Sequence, residues 1–309
     1  ADLDEGLGVL INDTSAQLMP HGGPRVVKLL LEHLTAQQHC VYDPNPDTQA
    51  LYPEATSPIE ADMLDAIAKA TSPAAIDLLA QQPQQWRALL QQAGEHSDTK
   101  RQQLATRTAT LNHLLTPPTV VVAGPANVGK STLTNALMGK AMSIVADLPG
   151  TTRDWVGGLV ELSATRDTQQ AVAVNWLDTP GLRDSDDTIE QRAIQLARQQ
   201  IEQADVLIAM RDPDQPWPDT NSLPRKPDLW VINKVDDAPL PAADAGTSPQ
   251  HPLSISATNG RNLDALQSII IDQLGLSGLN NEPWAFTKKL LAWCDSDEQR
   301  LVTDYLVSR

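Results

Sequence analysis

Cysteine is nearly absent: Cys40 and Cys294 are the only two in 309 residues. Their separation and neighbours offer neither a disulfide framework nor metal or redox spacing, so buried or free thiols are expected. The six histidines are scattered and none is assigned to a metal. Positive charge is also scarce, with 23 Lys and Arg against 39 Asp and Glu and a formal net charge of −16. Phosphate contacts need a local excess of cations, so direct nucleic-acid binding is expected to be weak. No run of ~20 apolar residues is present to span a bilayer. The opening residues Ala1-Asp2-Leu3-Asp4-Glu5 are acidic where a leader is basic, and a cytoplasmic protein without membrane association is expected. No internal repeat is evident, and the length accommodates two modest domains with adequate cores.

Against these absences stands GPANVGKST, residues 124–132, which fits the phosphate-loop pattern G-x-x-x-x-G-K-[ST]. The apolar run Thr119–Ala123 before it reads as a buried parallel strand. Leu133, Ala136 and Leu137 after it fall at helical spacing. In that strand-loop-helix context the backbone N–H groups around Asn127, Val128, Gly129 and Thr132 and the helix N-terminus converge on phosphate. Lys130 neutralises β and γ oxygens, and the Ser131 hydroxyl is suited to Mg²⁺.

Four further elements follow in the order a guanine-nucleotide site requires. Gly150-Thr151-Thr152-Arg153-Asp154 offers a threonine hydroxyl to the Mg²⁺ shell. The apolar-rich run ending at Leu177 delivers Asp178-Thr179-Pro180-Gly181, where a carboxylate at a strand end suits a metal-bound water and the Gly181 amide can meet the γ-phosphate. Asp228–Ile232 delivers Asn233-Lys234-Val235-Asp236; the Asp236 carboxylate can accept from guanine N1 and N2, a donor pair adenine lacks. Pro252–Ser256 then presents Ser256-Ala257-Thr258, whose backbone N–H can bond the guanine carbonyl. Each turn taken singly reads as readily as a surface turn; all five in order point to GTP and GDP.

The fold class expected is α/β: a P-loop GTPase domain with a mostly parallel sheet, plus a reduced helical N-terminal region. The expected boundaries are 1–117, 118–278 and a short helical tail 279–309. Residues 1 to about 115 are Gln- and Ala-rich and mostly helical in pattern. Val26, Leu29, Leu30, His33 and Leu34 mark one helix, Ile59–Leu79 a helix pair broken at Pro73, and a third helical stretch is expected from Pro83 to Leu115. Ile189, Ala193, Ile194, Ala197 and Ile201 form the stripe of a helix after DTPG, and another helix is expected over 263–274. The proline-rich stretch Arg211–Pro227 reads as a solvated connection or, alternatively, a binding loop.

These residues carry a resemblance. Over about 119–276 the chain resembles the TrmE (MnmE) family of tRNA-modification GTPases, through GPANVGKSTLTNALMG, SIVADLPGTTRDWV, DTPGLRDSDDTIEQRAI, IEQADVLIAM, NKVD and SISATNG. A weaker similarity extends upstream through HGGPRVVKLLLEHL. The family's early folate-binding part, its second helical half and its C-x-G-K ending have no evident counterpart, so a truncated or divergent member is expected. Cys294 is followed by Asp295-Ser296-Asp297, and the role of that ending is not transferred to it.

The resemblance implies a mechanism. Leu182 holds the place where many GTPases carry a water-positioning glutamine, and the family instead uses K⁺ and a glutamate further along. Counting along the motif places that glutamate at Glu190, which from position alone reads as a solvated helix-start carboxylate. Resemblance puts K⁺ beside Asn127 and near Ala146, Leu148 and Thr151, with Mg²⁺ on Ser131 and Thr152; Asp147, Pro149 and Gly150 complete the same nucleotide-binding loop. It also implies a nucleotide-dependent homodimer and a protein partner. Two functions remain open: an enzyme of tRNA wobble-uridine modification whose own tRNA affinity is weak, or a GTP-dependent interaction switch that modifies nothing.

Overall fold

A computed structural model describes residues 6–12, 15–20, 24–36, 47–91, 98–138, 156–163, 170–179, 195, 198–221, 223–295 and 305. They divide into two compact units, one of residues 1–68, 80–95 and 285–309, the other of residues 69–79 and 96–284.

The first unit begins with an antiparallel pair, β1 (Gly6–Asn12) and β2 (Ser15–Pro20), in which Leu7 faces Met19 and Val9 faces Gln17. A helical pattern is what the sequence suggests for this region, and the hairpin corrects it. Glycines at 6 and 8 dilute the alternation that marks a strand, so the pairing is not visible from local propensity. Helices α1 (Pro24–Ala36), α2 (Thr48–Leu51) and α3 (Pro58–Lys69) follow. Helix α4 (Ala74–Gln91), whose residues 74–79 are counted with the second unit, runs through Pro83, which therefore does not start the third helix as expected. Proline forfeits one intrahelical bond there, and burial of Leu78, Leu79 and Trp86 along the same helix offsets that cost. Within the first unit Asp62 accepts a 2.6 Å hydrogen bond from Tyr305 and a second from Thr48. Burial and this bond raise the Tyr305 phenol above its ordinary range.

The second unit is built on a six-stranded sheet. Its strands are β3 (Thr119–Ala123), β4 (Val156–Leu162), β5 (Val172–Asp178), β6 (Val206–Arg211), β7 (Leu229–Ile232) and β8 (Leu253–Ser254). Their spatial order is β4-β5-β3-β6-β7-β8, with only β4 antiparallel to its neighbour. Val120, Val121 and Val122 are wholly buried, as expected where layers cover both faces of a parallel sheet. Helix α5 (Asp98–Leu111) precedes the sheet, and α6 (Lys130–Met138) follows the phosphate loop. Trp176 of β5 donates 3.0 Å to Thr134 of α6, both buried, which pins the middle of α6 to the sheet.

Residues 198–203 of the helix expected after DTPG are helical, and Ile201 is buried with Val121, Leu177 and Leu207. The helix Leu263–Gln273 closes the unit. Ser72 accepts from the Ala173 amide at 3.0 Å and Ala74 donates to the Ala171 carbonyl at 3.1 Å, so residues 69–79 fold with the sheet.

Candidate functional site

The strand order reverses direction at β3, with β5 on one side and β6 on the other. A crevice forms beyond the carboxyl ends of the strands at such a point. The motif residues gather there because parallel strands all deliver their following loops to the same edge.

Gly124 leaves β3 in a space where any Cβ would lie 2.1 Å from the Met210 carbonyl oxygen of β6. Gly129 has φ +94°, and a Cβ there would lie 2.4 Å from Asn233 Nδ2. Both positions require glycine, the second for its backbone as well as its space. Lys130 is 8% exposed and its ammonium donates to the carbonyls of Gly124 (3.0 Å) and Pro125 (2.9 Å). Desolvation pushes it below the ordinary lysine range, while the nearby Asp178 charge acts the other way.

Register brings Asp178 to this loop. Asp178 of β5 lies opposite Val122 of β3, and Thr179 clamps the arrangement by donating backbone and side-chain bonds to the Val122 carbonyl, at 3.2 and 2.8 Å. Asp178 Oδ2 accepts 2.7 Å from Ser131 Oγ; Oδ1 is buried without a hydrogen-bond partner among the described residues. Burial raises the Asp178 carboxyl above its ordinary range, against the Ser131 hydrogen bond and the Lys130 charge, which lower it. A hydroxyl and an under-coordinated carboxylate form the hard oxygen set that Mg²⁺ takes, so these residues fit that ion. No group of three or more His, Cys, Asp or Glu arranged to hold a metal exists among the described residues.

Across the crevice the NKVD loop follows β7. Asn233 donates to the Val128 carbonyl at 3.0 Å and accepts from the Ala257 amide at 3.0 Å, linking phosphate loop, NKVD and SAT segments through one buried side chain. Asp236 Oδ1 accepts from Ser256 Oγ at 2.8 Å and Asn259 Nδ2 at 3.0 Å. Lys234, with φ 64°, donates 2.5 Å to the Asn127 carbonyl, and Asn127 has φ 65°. Thr258 lies in the turn that follows Ala257.

Ala146, Asp147, Leu148, Pro149, Gly150, Thr151, Thr152, Pro180, Gly181 and Glu190 lie outside the described residues. Three participants went unread in the sequence. Asn259 stands one residue beyond SAT and orients the base-reading carboxylate. Asp212 and Gln215 belong to the proline-rich stretch, whose start meets the site while Pro213, Asp214 and Pro216 stay exposed: Asp212 accepts 2.9 Å from Lys234, and Gln215 Nε2 reaches the Ala126 carbonyl at 3.4 Å. An aspartate directly after a buried strand was the available signal.

Residues 119–234 match the family described as 50S ribosome-binding GTPase. The tRNA modification GTPase MnmE of Bordetella petrii is 39% identical over 173 residues, covering 53% of this chain and 35% of the relative. That of Vibrio cholerae is 35% identical over 169 residues, covering 52% and 36%. This chain thus matches about a third of the length of these relatives. Among solved structures, Era of Aquifex aeolicus bound to GDP and aluminium fluoride is 30% identical with a TM-score of 0.37, covering 53% of this chain and 57% of that one. No helix among the described residues is long and apolar enough to cross a membrane. The chain carries a P-loop GTPase domain, and about half of its length is similar to the MnmE family of tRNA modification GTPases.

Proposed function

We propose that this chain hydrolyses GTP to GDP and phosphate, with Mg²⁺ and K⁺, in the setting of tRNA wobble-uridine modification. The observation that carries the hydrolytic reading is the Ser131–Asp178 pair, 2.7 Å apart, with a buried carboxylate oxygen unpartnered among the described residues beside the phosphate loop. Mg²⁺ supplies charge neutralisation of the phosphates when bound; Ser131 and Thr152 would hold it, with Asp178 ordering its water. Lys130 shifts from the carbonyls of Gly124 and Pro125 to phosphate oxygens, exchanging neutral acceptors for charged ones. Asp236 has both its protein donors on Oδ1, so Oδ2 is the oxygen that meets the guanine donors. The Ala257 amide, whose N–H goes to Asn233 Oδ1 at 3.0 Å, would share that proton with the guanine carbonyl.

Glu190 positions the attacking water, since Leu182 cannot orient one. Asn127, with carbonyls near Ala146, Leu148 and Thr151, would hold K⁺, in the place an arginine takes elsewhere. Nucleotide domains pair as a homodimer in the triphosphate state. Phosphate release, measured with GTP and ATP in KCl and in NaCl at equal ionic strength, tests this reading. GTP turnover is expected to exceed ATP turnover at least about tenfold, to rise in KCl, and to fall roughly 10²-fold in Glu190→Ala at nearly unchanged GTP affinity. Equal rates in both salts, with a fully active Glu190→Ala, refute the K⁺ and Glu190 assignments.

A second reading is favoured by the net charge of −16: a GTP-dependent switch that recruits a protein partner and modifies no RNA. Gel shifts with tRNA at physiological salt, together with mass spectrometry of its nucleosides, separate the two. Modified product supports the first reading, and state-dependent protein capture without product supports the second.

A further inference from the structure

We infer that Asp212 is a positioning residue for nucleotide retention, holding Lys234 against the phosphate loop so that the base-reading and phosphate-binding loops cannot part while nucleotide is bound. This rests on the reading of the crevice as a guanine-nucleotide site.

Asp212 follows β6 directly and is 5% exposed. Its Oδ2 accepts from Lys234 Nζ at 2.9 Å and from Gln215 Nε2 at 3.2 Å. The same Lys234 ammonium donates 2.5 Å to the Asn127 carbonyl. One cation therefore bridges a buried carboxylate on the β6 side to the backbone of the phosphate loop. A lysine on a flexible stem has no reason of its own to stay there. Asp212 supplies one, and the buried run Val206–Met210 of β6 just before it fixes where Asp212 stands.

Backbone conformation adds a second reason. Asn127 and Lys234 both hold positive φ, 65° and 64°. Left-handed backbone at such residues persists where surrounding contacts over-determine it. The Lys234–Asn127 bond joins these two residues to each other, and Asp212 holds the donor.

The loop carrying Asp212 is itself braced. Arg211 Nη1 donates to the carbonyls of Asp212 (3.0 Å), Pro213 (3.3 Å) and Gln215 (3.1 Å). Its guanidinium lies 4.8 Å from the centre of the Trp217 ring, and Trp217 meets Trp230 edge-on at 5.0 Å. Trp230 belongs to β7, the strand that delivers NKVD, so the proline-rich segment is stitched to the strand bearing its target lysine. Prolines 213, 216 and 218 restrict the segment further. Such a braced loop presents Asp212 at low entropic cost, which suits a fixed tether.

Nucleotide release requires the phosphate loop and the NKVD loop to separate, so the bridge should act on the dissociation rate more than on association. Lys234 is half exposed, 49% at its side chain, and solvent screening limits the effect to about two- to fivefold.

The test loads the full chain with a fluorescent N-methylanthraniloyl GDP and chases it with excess GDP. It compares the wild type with Asp212→Asn, Lys234→Met, the double variant, and Asp214→Asn, which removes an equal charge from an exposed position in the same loop. Asp212→Asn and Lys234→Met are each expected to release faster, while the double variant releases no faster than Lys234→Met and Asp214→Asn behaves as wild type. A merely structural Asp212 would not show this lysine-dependent loss of effect. Wild-type release from Asp212→Asn, or multiplied effects in the double variant, overturns the inference. Should Asp212→Asn fail to fold, Asp212→Ser, which removes the same charge with a smaller side chain, is expected to release about twofold faster; an unchanged rate there overturns the inference equally. A wild type that binds no guanine nucleotide sinks the reading of the site itself, a separate outcome.

Discussion

Replacing Asp178 by asparagine should make the nucleotide-free protein more stable and its Mg²⁺–nucleotide complex weaker. Asp178 is 7% exposed, and one of its oxygens is buried without a partner among the described residues. An ionised carboxylate in that position has lost its hydration and regained one hydroxyl bond, from Ser131 at 2.7 Å. Asparagine keeps an acceptor for that hydroxyl while removing the charge. Against the gain stand the lost attraction to Lys130 and an amide N–H₂ placed where the unpartnered oxygen was, at about 1–3 kcal/mol for an unsatisfied polar group. A buried charge costs more than a buried amide, and the net gain is about 1–2 kcal/mol.

That gain corresponds to a rise in Tm of about 2–8 °C for a domain of this size. The pH dependence has a definite sign. The folded carboxyl titrates above the ordinary value of 3.8, so the folded state holds its proton more firmly than the unfolded chain. Wild-type stability is therefore lost as pH rises from about that value through the raised folded one, and the asparagine variant should not show that loss. Scanning calorimetry after stripping nucleotide with a chelator, across the weakly acidic to neutral range, reads both effects. Titration of GTP in Mg²⁺ should meanwhile show affinity down at least about tenfold, or 1.4 kcal/mol. An asparagine variant less stable than wild type at neutral pH, or one that binds Mg²⁺–GTP unimpaired, refutes the argument that burial of this carboxylate is retained for the metal.

Gly129→Ala combines positive φ with a Cβ 2.4 Å from Asn233 Nδ2, so nucleotide affinity should fall below detection in equilibrium dialysis; binding within threefold of wild type contradicts the packing argument. Thr134→Val leaves the buried Trp176 indole N–H without its 3.0 Å acceptor and should cost about 1–3 kcal/mol in urea unfolding, with Trp fluorescence reporting locally. Asp236→Asn should move preference from guanine toward xanthine nucleotides by at least about tenfold in competition binding, and unchanged selectivity would remove Asp236 from the base-reading role.

What the amino-acid order determined by itself was local. A buried apolar run, a glycine loop and a helical stripe succeed one another within twenty residues, so β3, the phosphate loop and α6 follow from propensity and pattern alone. The same holds for NKVD after β7 and for the helix Leu263–Gln273. The order of the five motifs was enough to imply a common crevice, because parallel strands end on one side. Tertiary structure decided the rest. Whether Asp178 meets Ser131, 47 positions earlier, depends on the register of β5 against β3, which no local pattern encodes. The bond from Lys234 to Asp212, 22 positions earlier, depends on β6 and β7 lying side by side and on a braced loop whose prolines read locally as solvated chain. Pro83 inside α4 belongs with these, since burial of Leu78, Leu79 and Trp86 outweighs a local preference worth about 3 kcal/mol, whereas the β1–β2 hairpin rests on cross-strand pairing that single-residue propensity does not reveal.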